Sequence, residues 1–146
     1  MSFNVLNLID ILIKIWSFVG STGWIFSKLK EFLEPKPDLK VEKIEFVSKH
    51  TIPQGELELH VVNKGNSIAT EVYCIWIINR KDNNQRVANS PEKGYSLENI
   101  SPHSTIIKKF ACNYLNPKYD YEIWILLKCN ERIFKPIKRT LKIKEE

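Results

Sequence analysis

"VVNKGNSIATEVYCIWII", residues 61–78, is two apolar runs broken by Asn63-Lys64-Gly65-Asn66. β-Branched and aromatic side chains crowd both runs, and the break is short, polar and Gly-containing, which is strand–turn–strand chemistry. The sequence predicts that the Asn and Gly residues supply positive φ angles, turning one core strand away from the next. The run before the break, "GELELHVVN" (55–63), alternates cleanly. Leu57, Leu59 and Val61 share one face, and Glu56, Glu58 and His60 share the other. The run after it, "TEVYCIWIINR" (70–80), is apolar at odd and even positions alike, as in a central strand covered on each side.

Further strands lie to either side. "LKVEKIEF" (39–46) is a strand whose register is disturbed near Lys43, the mark of a bulge. "STIIKKFACNYL" (104–115) and "YEIWILLKCN" (121–130) follow, and "RIFKPIKRTLKIK" (132–144) makes a last strand or pair that Pro136 bars from a central position. The polar stretch 81–96 is a loop with room for a short edge strand. About seven strands with no helical stretch among them indicate an immunoglobulin-like antiparallel β-sandwich over residues 38–146.

The opening of the chain has another period. Between Ser2 and Phe32, Asn7, Asp10, Lys14, Ser17, Ser21 and Lys28 fall on one arc of about 80° at 100° per residue. The rest of the circumference, including Leu8, Ile9, Leu12, Ile15, Trp16, Val19 and Trp24, is almost wholly apolar. Residues 1–34 therefore read as a hydrophobic α-helix, or as a helical hairpin if Gly20-Ser21-Thr22-Gly23 divides it. Pro35-Lys36-Pro37 stops the helix and forms an extended spacer.

So narrow a polar stripe demands burial in lipid, in a helical oligomer or against the rest of the chain. Residues 3–26 as one helix measure about 36 Å against a hydrocarbon core of about 30 Å. Asp10 and Lys14 each cost about 2.5–3.5 kcal/mol at mid-depth, softened by their i,i+4 pairing. Should the helix cross, Lys28 and Lys30 behind it place the sandwich on the cytoplasmic side. The uncharged start and the charges inside the apolar run argue against a cleaved leader.

Composition excludes more than it identifies. The 146 residues carry a net charge of +5, too mild to imply nucleic acid without clustering. The one cluster is C-terminal: Lys128, Arg132, Lys135, Lys138, Arg139, Lys142 and Lys144 oppose Glu131 alone. Edge protection explains it, and attraction to anionic headgroups or nucleic acid competes. Phe134, the lone aromatic in that run, leaves the nucleic-acid reading thin. His50, His60 and His103 show no metal-ligand spacing, and no nucleophile elbow or phosphate loop occurs. The sequence thus calls for no catalytic residue, cofactor or metal. Cys74, Cys112 and Cys129 sit in apolar runs and read as reduced core thiols, with a Cys74–Cys129 bridge as the alternative.

Pro37-Asp38-Leu39 before a Val/Ile strand resembles the start of the cell-adhesion-related immunoglobulin-like domains of bacteria and archaea. So does Val62-Asn63-x-Gly65-x-x-x-Ala69 before a hydrophobic strand. Ile100-Ser101-Pro102-His103-Ser104 is similar to that family's Leu-x-Pro-Gly-x turn, with His103 where glycine is usual. The resemblance covers about residues 37–143. It implies a non-catalytic module for display, spacing or binding. The expectation is a membrane-associated interaction module: residues 1–34 attach it and the sandwich binds a protein partner. The alternative is a soluble homo-oligomer built through the helix.

Overall fold

The computed structural model describes residues 8–11 and 34–146. Two compact units divide the chain, Met1–Pro35 and Lys36–Glu146. In the first, residues 8–11 are helical, with Ile9 buried and Asp10 and Ile11 exposed. Asn7, Leu12, Lys14, Ile15, Trp16, Ser17, Val19, Ser21, Trp24 and Lys28 lie outside the described residues, and so does the expected course of the leading helix. Among the described residues no helix is long and apolar enough to cross a membrane.

In the second unit the described residues form nine strands: β1 (Leu39–Lys49), β2 (Gln54–Asn63), β3 (Ala69–Arg80), β4 (Arg86–Asn89), β5 (Tyr95–Ile100), β6 (Thr105–Asn113), β7 (Tyr121–Lys128), β8 (Ile137–Leu141) and β9 (Ile143–Glu145). One sheet runs β6-β2-β1-β9; the other runs β4-β3-β7-β8, with β5 continuing the β4 edge of β3. The expected two-sheet, mainly β architecture is present. The count rises because the polar stretch carries β4, β5 follows it, and the C-terminal run divides into β8 and β9.

The core is what the alternation requires. Leu57, Leu59 and Val61 of β2 face Val72, Cys74, Trp76 and Ile78 of β3 and Ile123, Ile125 and Leu127 of β7 across the two sheets, all buried. Burying a large apolar side chain yields about 1.5–3 kcal/mol, and two facing layers multiply it. The expected irregularity in β1 is a register shift between Val41 and Lys43.

β3 departs from expectation. It is central, but Tyr73, Ile75 and Ile77 on its outer face are only half-buried. Neighbouring long side chains shield that face: Lys128 Nζ lies 5.7 Å from the Tyr73 ring centre, and Lys138 Nζ 5.3 Å from that of Trp124. Such side chains cover apolar surface with their stems and keep their charge in water.

The 63–66 turn works by another mechanism than positive φ, which none of its four residues adopts. Asn63 is fully buried and all its amide capacity is used. Its Oδ1 accepts from Asp38 N (3.0 Å) and Gly65 N (2.9 Å), and its Nδ2 donates to Ser67 O (2.8 Å) and Ile100 O (3.0 Å). Gly65 is glycine for proximity: a Cβ there would lie 2.0 Å from Lys36 O and 2.6 Å from Asp38 N. Lys64 N and Asn66 N donate to Asp38 O and Lys36 O, so residues 36–38 are bonded into the sandwich edge-on.

The bridge alternative is corrected as well. Cys74, Cys112 and Cys129 are all free thiols. Cys74 is sealed in the core, and burial pushes its thiol up to about 12.

Candidate functional site

The two flanks of the sandwich, where one sheet passes to the other, are built differently. On the first flank β8 ends the five-stranded sheet, pairing Ile137–Leu141 with Ile125–Tyr121 of β7. After the single residue Lys142 the chain enters the other sheet as β9, parallel to β1 at Phe46, Val47 and Ser48. Glu146 N then donates to Ser48 O (3.0 Å). Lys144 Nζ lies 3.0 Å from Glu45 Oε1, and Lys144 with Lys43 holds that carboxyl below its usual range. Pro136 stands just before β8, consistent with its edge place.

The second flank is open. β6 pairs with β2 from Gln54↔Asn113 to Val62↔Thr105, and among the described residues no strand pairs its other edge. Facing it is the divided edge β4/β5, interrupted at Ser90–Gly94. Ser90 holds that break, donating N–H to Trp76 O (2.9 Å) and accepting Trp76 N–H on its Oγ (3.0 Å). Gly94 takes φ +81°, and a Cβ there would meet Cys74 O at 2.7 Å.

Between β4 and the end of β6 a cleft of about 280 Å3 opens, with Trp76 among its lining residues. Trp76 is 2% exposed and packs beside Tyr95 and Phe110, at ring distances of 6.3 and 6.2 Å. Its indole Nε1 is buried without a hydrogen-bond partner among the described residues. Cys112 also lines the cleft, and burial raises its thiol to about 11, keeping it protonated and unreactive near neutrality.

Both edges of this flank carry cations. Lys108 lies opposite Leu59, on the face of β6 that Phe110 buries, and Lys109 is its outward neighbour, 3.8 Å from Glu56. Arg86 begins β4, two residues before buried Ala88. Inward-directed charge is a recognised guard against unwanted strand pairing.

The C-terminal cations are spread by the register. Lys138 sits over Trp124 and pairs with Glu122 (3.3 Å); Arg139, its neighbour, also lines a shallow cleft with Val41–Ile44. Lys142 is exposed at the crossing, Lys144 is paired to Glu45, and Lys135 is exposed in the loop before β8. Arg132 stacks on Phe134, 4.6 Å from its ring centre. Of these residues, Lys138 and Arg139 do share one surface depression, together with Lys81, Glu122 and Thr140.

The histidines lie apart. His60 bonds Glu58 on the outer face of β2 (2.7 Å), His50 meets Tyr114 and Glu145, and His103 occupies a turn at φ 60°. Among the described residues no His/Cys/Asp/Glu group of three or more is placed to hold a metal ion. Sequence reading missed the cleft. It put Trp76 in a strand covered on each side and Arg86 in a loop with room for a short edge strand, and the only available signal was a tryptophan in a strand followed by a polar edge.

No protein-family model matches the chain, and no curated protein matches it. Solved structures that it is similar to include the CARDB domain of a Pyrococcus furiosus protein, in complex with di-metal ions. That likeness has 18% identity and a TM-score of 0.48, and covers 75% of this chain and 96% of that one. The C-terminal domain of wzt is similar at 13% identity and a TM-score of 0.47, over 77% of this chain and 80% of that domain. A β-glucuronidase from glycoside hydrolase family 2 is similar at 15% identity and a TM-score of 0.45, over 73% of this chain. The chain spans only 11% of that enzyme's length. Cell-adhesion-related immunoglobulin-like domains are thus among the structural neighbours of this mostly β chain.

Proposed function

We propose that the chain is a non-catalytic interaction module. Residues 1–34 attach it to a membrane, with the sandwich on the cytoplasmic side, and the open flank holds an extended acidic segment of a protein partner along β6. The observation that carries this reading is the edge of β6 that no strand among the described residues pairs, nine residues long and bearing Lys108 and Lys109. A strand added there gains main-chain hydrogen bonds, while alternate side chains set specificity. Carboxylates on the added strand would neutralise the two lysines that otherwise repel casual pairing. The attachment half rests on the apolar girth of residues 1–34 and on Lys28 and Lys30.

Two measurements test it. In liposome flotation the full chain is expected to rise with vesicles and a chain beginning at Lys36 to stay behind. A soluble particle of fixed size from the full chain would favour helical self-assembly instead. For the flank, the heptapeptide Val-Thr-Glu-Glu-Val-Thr-Val, whose adjacent glutamates take opposite faces, is expected to slow amide exchange along Thr105–Asn113, and Lys108→Glu with Lys109→Glu to abolish the effect. Unchanged exchange at β6 would sink the strand-addition reading.

A further inference from the structure

The cleft at the open flank has a chemistry that strand addition does not use. Its lining residues offer donors. Trp76 carries a buried indole N–H with no acceptor among the described residues, Arg86 a guanidinium, and Asn89 and Asn113 amides. The Cys112 thiol, held protonated by burial, is turned back to Phe110 O (3.8 Å) and leaves the donors to the other three side chains and the indole. Among the described residues that line the cleft, Arg86 alone is charged, so no carboxylate of the protein competes there. A buried donor without an acceptor is rare in folded proteins and calls for an explanation, such as a ligand or an ordered water. Ala88 and Ala111 keep the walls small, and a volume of about 280 Å3 admits only a small group.

We propose that this cleft is a binding site for a carboxylate, whose oxygens accept from the Trp76 indole N–H and the Arg86 guanidinium. A planar carboxylate matches one guanidinium and one indole donor. A tetrahedral phosphate dianion would need a second cation, which the lining lacks. The carboxylate belongs either to a free small acid or to a glutamate side chain of a peptide. The site stands whether or not β6 accepts a partner strand.

The test is an amide and indole correlation spectrum of the 15N-labelled full chain in neutral-detergent micelles, where Trp76 is one of four indole signals. The probes are acetate, succinate and acetyl-glutamate amide, with inorganic phosphate as the contrast. The expected result is a saturable downfield shift of the Trp76 indole proton with the carboxylates. Arg86→Met should weaken the affinity at least tenfold and Arg86→Lys less, and Arg86 is exposed enough for both variants to fold. A stronger response to acetyl-glutamate amide than to acetate and succinate assigns the site to a peptide side chain, and the reverse to a free acid. The proposal is overturned if no carboxylate moves that signal, which is the result for a cleft holding water alone. It is equally overturned if phosphate moves it as strongly, or if Arg86→Met leaves the affinity unchanged.

Discussion

The two flanks use the same material, edge strands with basic side chains, to opposite ends. At β8/β9 the chain itself crosses between sheets, so main-chain bonds and the Lys144–Glu45 pair are spent inside the fold. At β4/β6 nothing described crosses; the edges carry Arg86, which lines the cleft, and Lys108 and Lys109 further along β6. A sandwich needs its core sealed but does not need every edge consumed. An edge left unpaired presents donors and acceptors already in strand geometry.

The contrast can be broken in several ways. Leu141, 3% exposed at the crossing, should cost about 3 kcal/mol when replaced by Ala, measured by denaturant unfolding. Val87→Ala on the open flank should cost about 1 kcal/mol or less, being half-buried. Equal losses would erase the distinction.

Alkylation of Cys112 at pH 8 should run about a hundredfold slower than for an unstructured cysteine, since only the thiolate reacts. Burial disfavours that thiolate, so the rate should climb as pH rises towards about 11. An ordinary rate at pH 8 would mean that the cleft is freely watered. Removing Ile143–Glu146 should cost about 1–2 kcal/mol and speed amide exchange at Phe46–Ser48, converting the closed flank into a second open one. Lys108→Ile should raise stability by about 1 kcal/mol or less while increasing self-association in sedimentation velocity, because an edge guard is lost. The smallest effect is expected at His103→Gly. The residue sits at φ 60°, and relief of that strain, offset by added unfolded-chain freedom, should stabilise the fold by about 0.5 kcal/mol.

Much of the sandwich was legible because alternation is a local signal. Leu57, Leu59 and Val61 declare their face without help, the shift at Lys43 shows as a broken alternation, and Pro136 keeps its strand at the edge. β5 was illegible because Glu98, at φ 62°, interrupts its period opposite the bulge in β3, leaving Leu97 and Ile100 out of phase. The role of Asn63 was hidden for another reason. Three of the groups bonded to its side chain, at Asp38, Ser67 and Ile100, lie four or more residues away, and a turn motif conveys nothing about them. The cleft is wholly tertiary: β4 and the end of β6 meet only after both sheets have formed.

The parallel pairing of β1 with β9 has a mechanical consequence. Tension applied between the start of β1 and the end of β9 would pull these neighbours lengthwise in opposite directions. Their bridging bonds at Phe46, Val47 and Ser48 would then be loaded together in shear instead of peeling one by one. With Lys64 N and Asn66 N bonded to Asp38 O and Lys36 O just ahead of β1, a tug on residues 36–38 first meets that clasp and then this ladder. Were the sandwich pulled from its leading end, the load would arrive where it is fastened.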